Sequence, residues 1–134
     1  SECAYVGSQT HIYNDTLRNN LTLWNEAITD THIKEALERV NLLSFLSRID
    51  EQVNDGSFSE GQKQRIGLIR AFLKGSSVVI FDEATANLDH KNATRIEHLL
   101  LSDPNITYIT VTHHLIKENE PYFDEIIRLG EGTE

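Results

Sequence analysis

Four short apolar runs are separated by polar or glycine-containing segments along the chain. Runs of this length, bounded by turn-forming or charged residues, are typical of buried strands in a parallel sheet. The predicted strands are CAYVG at 3–7, SVVIF at 77–81, ITYITVT at 106–112 and DEIIRL at 124–129.

The segments between these runs carry apolar residues every three or four positions, which predicts amphipathic helices. A short helix is expected after Asp15, a residue type that favours the N-cap position, and segment 29–49 predicts one or two more. A polar loop is expected at 51–57 (EQVNDGS). Ser59 then has Gln62 three positions later, the spacing of a capping box, which predicts the start of another helix.

Strands and helices alternate along the chain, and a last helix is expected after Asp89. This alternation predicts an α/β fold in which helices cross over between the strands of a parallel sheet. The 134 residues are enough for one compact domain but not for two.

The net charge and the cysteine content argue against several classes of function. The net charge of −9 argues against nonspecific binding to nucleic acid or to an acidic membrane, because both require a basic surface. The single cysteine, Cys3, allows no internal disulfide and no CxxC metal site, and it indicates a reducing compartment.

No apolar run approaches the roughly 18 residues of a membrane span. The sequence has no methionine, and a predicted strand starts as early as residue 3, so we expect it to come from a longer protein.

Two carboxylates follow the run VVIF, at Asp82 and Glu83. In open α/β sheets ligands bind at the carboxyl ends of the strands, so Asp82 is a candidate Mg²⁺ ligand, acting through water. Glu83 is a candidate for orienting or deprotonating a water that attacks a phosphate. The alternative is that both residues merely end a strand.

Three further places carry polar groups with a possible role. Ser59 and Gly61 lie at the start of a predicted helix, where backbone N–H groups and the helix dipole favour an anion. Gln9 ends the first strand and could ligate a metal or orient water, and His113, followed by His114, could donate to a phosphate oxygen. Each has a simpler interpretation as a helix cap, a loop residue or a surface histidine.

Taken in order, these motifs resemble those of the ATP-binding cassette of ABC transporters. YVGSQTHIYNDTLRNNL resembles the Q-loop, FSEGQKQRIGLIRAFL the signature motif and its helix, VVIFDEATANLD the Walker B strand and D-loop, and ITVTHH the H-loop. The segment YNDTLRNNLTL is similar to its counterpart in exporter-type cassettes. The resemblance covers nearly the whole chain. It implies a partial P-loop NTPase fold of the ABC ATPase type, with a parallel sheet core (1–14 and 76–134) and an α-helical subdomain (about 15–75).

The resemblance also implies a set of roles. Two cassettes would enclose ATP and Mg²⁺ head to tail, with Glu83 as base, His113 steadying the γ-phosphate, and Gln9 assisting catalysis. Asp82 and Gln9 would bind Mg²⁺. The nucleotide-binding residues would be Ser59, Gly61, Gln62 and Asp89.

The implied partners are a second cassette and the transmembrane domain of the transporter, which the region near Gln9 would contact. The chain would then act on the cytoplasmic face of the cell membrane, powering transport across a membrane that it does not enter. No nucleic-acid partner is expected.

Two of the departures of this sequence from the family pattern bear on its function. None of its seven glycines is followed by lysine, so the phosphate loop GxxxxGK[ST] does not occur, and we expect this chain alone to bind ATP poorly and not to hydrolyse it. Without the strand that carries that loop, we expect a gap beside strand 106–112 or an exposed edge. The chain would close such a gap by altered strand pairing or by a non-native dimer. Glu60 stands where the signature usually has glycine, so either that site is weakened or Glu60 faces solvent.

Three functions compete. The first is part of a working exporter ATPase. The second is an inert cassette that acts as a binding or regulatory module. The third is a cassette ATPase of DNA repair or translation, which long coiled-coil insertions or basic arms would favour, and neither occurs in this sequence. The retained Gln9, Asp82, Glu83 and His113 favour the first.

Overall fold

The structure is a computed structural model, and it describes residues 3–6, 10–82, 90–112 and 115–129. Five strands and four α-helices fall within these ranges. In chain order they are β1 (Cys3–Val6), β2 (Asp15–Thr16), α1 (Leu17–Thr22), α2 (Asp30–Arg39), β3 (Gln52–Val53), α3 (Glu60–Lys74), β4 (Val78–Asp82), α4 (His90–Ser102) and β5 (Thr107–Val111). Three 3-10 helices accompany them, at Leu43–Arg48, Asp55–Ser57 and Lys117–Tyr122.

The main sheet has three parallel strands in the order β1–β4–β5. Its register places Tyr5 opposite Ile80 and Ile80 opposite Ile109. Because side chains alternate across a strand, this row lies on one face of the sheet, and the row that contains the buried Val79 and Phe81 lies on the other. The predicted parallel sheet with crossover helices is therefore confirmed for three of the four predicted strands.

The fourth predicted strand, at 124–129, is wrong: the structure shows no strand in this segment. The side chains of Ile127 and Leu129 are 73% and 89% exposed, so their apolar character is not used to cover the core. A strand also needs a neighbour for its backbone groups, and none of the described strands pairs with this segment. The pair Ile126 and Ile127 suggested a strand, but an apolar pair does not form a strand unless a neighbouring strand is present.

The region between β1 and β4 is mainly helical. The short helix expected after Asp15 is α1, but its N-cap is Thr16, whose Oγ1 accepts a hydrogen bond of 3.1 Å from the backbone N of Asn19. Asp15 instead belongs to β2, and hydrogen bonds from Asn19 and Thr16 hold the pKa of its carboxyl below the usual value. Segment 29–49 forms α2 followed by a 3-10 helix.

The polar loop predicted at 51–57 contains two short elements. Residues Gln52–Val53 form β3, which pairs antiparallel with β2, and Asp55–Ser57 form a 3-10 turn. A two-residue strand is too short for an alternating pattern to indicate it. It exists because β2, distant in sequence, supplies its hydrogen-bond partners.

Helix α3 leads from the helical region back to the sheet. It ends at Gly75, which adopts a left-handed backbone (φ 72°) and donates its N–H to the carbonyls of Ala71 and Phe72. Glycine is suited to this position because it has no Cβ to strain the left-handed conformation. β4 follows after only two more residues.

Among the described residues, one apolar cluster joins the sheet to the helices. Its fully buried members come from α1, α2, α3, α4 and β4, and include Leu17, Leu21, Ile33, Leu37, Ile66, Ile69, Val79, Phe81, Ile96 and Leu100. The helical region and the sheet therefore share one core. Within the described ranges, no helix is long and apolar enough to cross a membrane.

Candidate functional site

The predicted capping box at the start of α3 is present. The backbone N of Gln62 donates to Ser59 Oγ at 3.1 Å, and the backbone N of Ser59 donates to Gln62 Oε1 at 2.9 Å. These reciprocal bonds satisfy two backbone donors of the first turn and fix the direction of the helix start. The prediction from the spacing of Ser59 and Gln62 is confirmed as a structural feature.

The box leaves other donors of the first turn available. No acceptor within the described residues is assigned to the backbone N–H groups of Glu60 and Gly61. Such groups at the positive end of a 15-residue helix can bind an anion, including a phosphate oxygen. The start of α3 therefore offers backbone N–H groups to an anion, and its role in binding nucleotide stays a prediction.

Glu60 does not point across this helix start. Its carboxylate lies 3.2 Å from Lys63 Nζ, and the side chain is 61% exposed. Lys63 Nζ also donates to Asp55 at 2.9 Å, and this bond is the main cause of the raised pKa of the Lys63 ammonium. Of the two interpretations of Glu60, the structure supports the one in which its carboxylate faces solvent.

Asp82 is the last residue of β4, at the carboxyl end of the central strand. Its Oδ2 accepts a hydrogen bond of 2.7 Å from Tyr5 Oη, on the neighbouring strand β1. This bond raises the pKa of the Tyr5 phenol, because the negative carboxylate stabilises the protonated hydroxyl. No partner within the described ranges is assigned to the other oxygen, Oδ1.

This geometry can be compared with what Mg²⁺ requires. In proteins Mg²⁺ keeps several waters and is bound through one or two carboxylates. Asp82, with one oxygen held by Tyr5 and the other open, fits a single ligand of a hydrated Mg²⁺. The described residues contain no group of three or more His, Cys, Asp or Glu that could hold a metal without water or phosphate ligands.

The remaining predicted site residues, Gln9, Glu83, Asp89 and His113, lie outside the described residues. Their predicted roles stay predictions. Among the predicted residues that are described, Ser59, Gly61 and Gln62 lie together at the start of α3, whereas Asp82 lies at the end of β4. No hydrogen bond or ion pair between described residues joins these two groups.

Tyr5 was not predicted as a site residue. Tyr5 and Asp82 are 77 positions apart in sequence, so no local motif links them. The pair could have been found from the strand register. If the strands beginning at Cys3 and Val78 pair in parallel, Tyr5 lies opposite Ile80. Asp82 is two positions further along β4, so its side chain lies on the same face of the sheet as Tyr5.

The chain matches the family model described as "ABC transporter" over residues 1–86. It is 34% identical to a probable ABC transporter ATP-binding/permease protein of Haemophilus influenzae, over 96% of this chain and 24% of that protein. It is 32% identical to an ATP-dependent lipid A-core flippase of Francisella novicida, over 86% of this chain and 21% of that protein. The chain thus spans about a quarter of the length of these relatives.

Among solved structures, a bacterial Atm1-family ABC exporter with ATP bound matches with a TM-score of 0.77. The match covers 88% of this chain and 22% of the exporter at 22% identity, and at this identity it shows a common fold. The fold, the capped start of α3 and the carboxylate that ends β4 agree with the family match, and the chain belongs to the ABC transporter family.

Proposed function

We propose that this chain is part of the ATP-hydrolysing cassette of an exporter-type ABC transporter. The observation that carries the proposal is the pair of motifs FSEGQ and VVIFDE, which occur as a capped helix start and as a parallel strand ending on Asp82. The first offers a phosphate backbone N–H groups that have no acceptor among the described residues. The second offers a metal a carboxylate oxygen of Asp82 that has no described partner. The names of the relatives support the exporter subtype.

In this proposal the chain's own residues have separate tasks. Tyr5 holds one oxygen of Asp82. The other oxygen, with Gln9, would hold a hydrated Mg²⁺. When bound, Mg²⁺ would neutralise charge on the phosphates of ATP. Glu83 accepts a proton from the attacking water, and His113 donates a hydrogen bond to the γ-phosphate.

The start of α3 would serve a second cassette. Ser59, Gly61 and Gln62, with Asp89, would face the nucleotide held by the partner cassette in a head-to-tail dimer. Because Glu60 is paired with Lys63 and exposed, its carboxylate need not repel the γ-phosphate. The signature site would therefore be functional despite the departure from glycine.

The proposal extends to the other parts of the transporter. A transmembrane domain would contact the cassette near Gln9, and the cassette would lie on the cytoplasmic face of the membrane. The helical part at about 15–75 and the sheet parts at 1–14 and 76–134 would form one domain with segments of polypeptide outside this chain. Since the motif GxxxxGK[ST] does not occur in these 134 residues, we infer that the chain alone does not hydrolyse ATP.

The first test is to sequence the coding DNA that precedes the codon for Ser1. A GxxxxGK[ST] motif within about 60 to 80 codons, well within one domain's length, is expected. A reading frame that begins at Ser1, with no such motif, would favour an inert cassette that acts as a binding or regulatory module.

The second test uses the protein that includes this motif. We expect it to bind and hydrolyse ATP, and we expect Glu83→Gln to abolish hydrolysis while ATP binding is retained. Glu60→Gly serves as the matched control in the signature motif, and it should change the hydrolysis rate less than about twofold because Glu60 faces solvent. Full hydrolysis by Glu83→Gln would contradict the assigned base.

A further inference from the structure

A groove of about 500 Å³ lies between α4 and the 3-10 helix Lys117–Tyr122. It is separate from both the start of α3 and the end of β4. One wall is the face of α4 that carries His90, Lys91, Arg95 and His98, and the opposite wall carries Glu118 and Tyr122. No part of the proposed ATP chemistry uses this groove.

The floor of the groove is fixed by a buried polar network. Asn119 is 2% exposed, and its amide nitrogen donates to the carbonyl of Thr94 at 3.0 Å and to Glu97 Oε1 at 3.2 Å. The other carboxylate oxygen of Glu97 accepts a bond of 2.7 Å from Tyr108 Oη, on β5. A side chain buried with its hydrogen bonds made holds its neighbours in place. The hydrogen bonds of Asn119 therefore hold the 3-10 helix against α4 at the floor of the groove.

At each end of the groove, a non-covalent contact joins the two walls. At one end His90 Nε2 lies 2.7 Å from Glu118 Oε2, and at the other the rings of His98 and Tyr122 meet edge to face with centroids 4.6 Å apart. The contact with His90 holds the pKa of the Glu118 carboxyl below the usual value. The only carboxylate that lines the groove among the described residues is thus already engaged.

Between these ends lie two cationic side chains, Lys91 and Arg95, that have no described partner, unlike most other cations of the protein. Lys91 and Arg95 are exposed, and neither has a hydrogen bond or ion pair with any described residue. Most cations elsewhere in the described ranges are paired or hydrogen-bonded, among them Arg18, Arg39, Arg48, Lys63 and Arg70. In a chain of net charge −9, Lys91 and Arg95 give this groove two cations that no described side chain pairs with.

We propose that this groove binds a carboxylate-rich peptide segment of a partner protein. Lys91 and Arg95 are one helical turn apart, which separates them by about 6 Å along the helix axis. Alternate side chains of an extended peptide are about 6.6 Å apart on one side, so two acidic residues in an acidic-x-acidic pattern match the two cations. The preorganised walls reduce the ordering cost of binding.

The test measures fluorescence anisotropy of a fluorescein-labelled peptide in which glutamate alternates with serine, titrated with the 134-residue chain. The charge-reversed variant K91E/R95E is compared with K34E/K74E, which changes the net charge equally at two exposed lysines that are unpaired in the described part of the chain. Long-range repulsion is therefore the same in both variants. The same peptide with glutamine in place of glutamate controls for contacts that do not involve charge.

We expect K91E/R95E to raise the Kd at least about tenfold, K34E/K74E to raise it less than about threefold, and added salt to weaken binding. Circular dichroism of both variants shows whether the fold is kept. Equal losses in the two variants, equal binding of the glutamine peptide, or no binding by the unmodified chain would overturn the proposal. So would equally tight binding of a single-stranded oligonucleotide, because the groove would then select charge and not a peptide.

Discussion

At the scale of single residues, the hydroxyl of Ser59 has one observed role and one proposed role. Its Oγ accepts the backbone N–H of Gln62, which stabilises the start of α3, and the same hydroxyl is proposed to face a nucleotide. A loss of function in a Ser59 variant would therefore have two explanations. They can be separated by measuring stability first.

We expect Ser59→Ala to lower the free energy of unfolding by about 1 kcal/mol, because the Gln62 N–H loses its acceptor. Urea denaturation followed by circular dichroism measures this change. Ser59→Asp keeps an acceptor at the N-cap and should be close to the unmodified chain in stability. Equal destabilisation by both substitutions would show that the cap is not what Ser59 contributes.

Gln64, two positions after Gln62 on α3, makes a second prediction. It is 1% exposed, and neither its Nε2 nor its Oε1 has a hydrogen-bond partner among the described residues. Burying such an amide is costly, so we expect Gln64→Met to raise the free energy of unfolding by about 1 kcal/mol. Gln62→Met, which removes one half of the capping box, is the control and should lower it. A less stable Gln64→Met variant would mean that the amide has a partner outside the described ranges.

These residues also show what could be predicted from the sequence at this scale. The capping box was predictable because Ser59 and Gln62 are three positions apart and interact within one turn. The Tyr5–Asp82 bond was not, because it depends on which strands pair and in which register. The exposure of Glu60 depends on Lys63 and Asp55, and both were visible in the sequence, but their geometry was not.

At the scale of elements, helices were more predictable than short strands. α3 and α4 each span several turns, so their apolar periodicity is repeated and distinct. β3 has two residues, and segment 124–129 has an apolar pair with no strand beside it. Strands depend on partners that are distant in sequence, and a single sequence does not specify them.

The link between α4 and β5 gives a prediction for alkaline pH. Burial and the negative charge of Glu97 raise the pKa of the Tyr108 phenol far above its usual value. In the unfolded chain this phenol ionises at pH about 10, so above that pH the unfolded state has lost a proton that the folded state keeps. Stability should therefore be unaffected by this group below pH about 10 and fall above it, by up to about 1.4 kcal/mol per pH unit.

Urea denaturation at a series of alkaline pH values measures this slope. Tyr108→Phe should have a shallower slope above pH about 10, although it is less stable at neutral pH because Glu97 loses a donor. Tyr122→Phe, which removes a phenol on a side chain that is 53% exposed, is the control. An unchanged slope in Tyr108→Phe would show that this phenol is not the group responsible.

At the scale of the whole molecule, one face of the main sheet is poorly covered. Tyr5, Ile109 and Val111 lie on this face and are 64%, 45% and 59% exposed. β5 pairs with β4 along one edge, and no described strand pairs with its other edge. An uncovered apolar face next to an unpaired edge favours association. This agrees with the expectation from sequence of an open position beside strand 106–112.

We therefore expect the 134-residue chain to form dimers or larger species in sedimentation velocity runs. Ile109→Thr with Val111→Thr should reduce association, because threonine keeps the strand propensity while removing apolar surface. Leu43→Gln with Leu99→Gln removes two other exposed leucines (41% and 38% exposed) and should change association little. A monomer at all concentrations for the unmodified chain would contradict the expectation.

The order of the strands has a consequence for synthesis. β1 is the first described element, yet its neighbour β4 follows α1, α2 and α3 in the chain. At a ribosomal rate of about 5–20 residues per second, β4 follows β1 after several seconds of synthesis. During that interval the edge of β1 that will pair with β4 is open to chaperones or to other nascent chains. The helices between β1 and β4 can form first, since their contacts are local, and they then bring the two strands together.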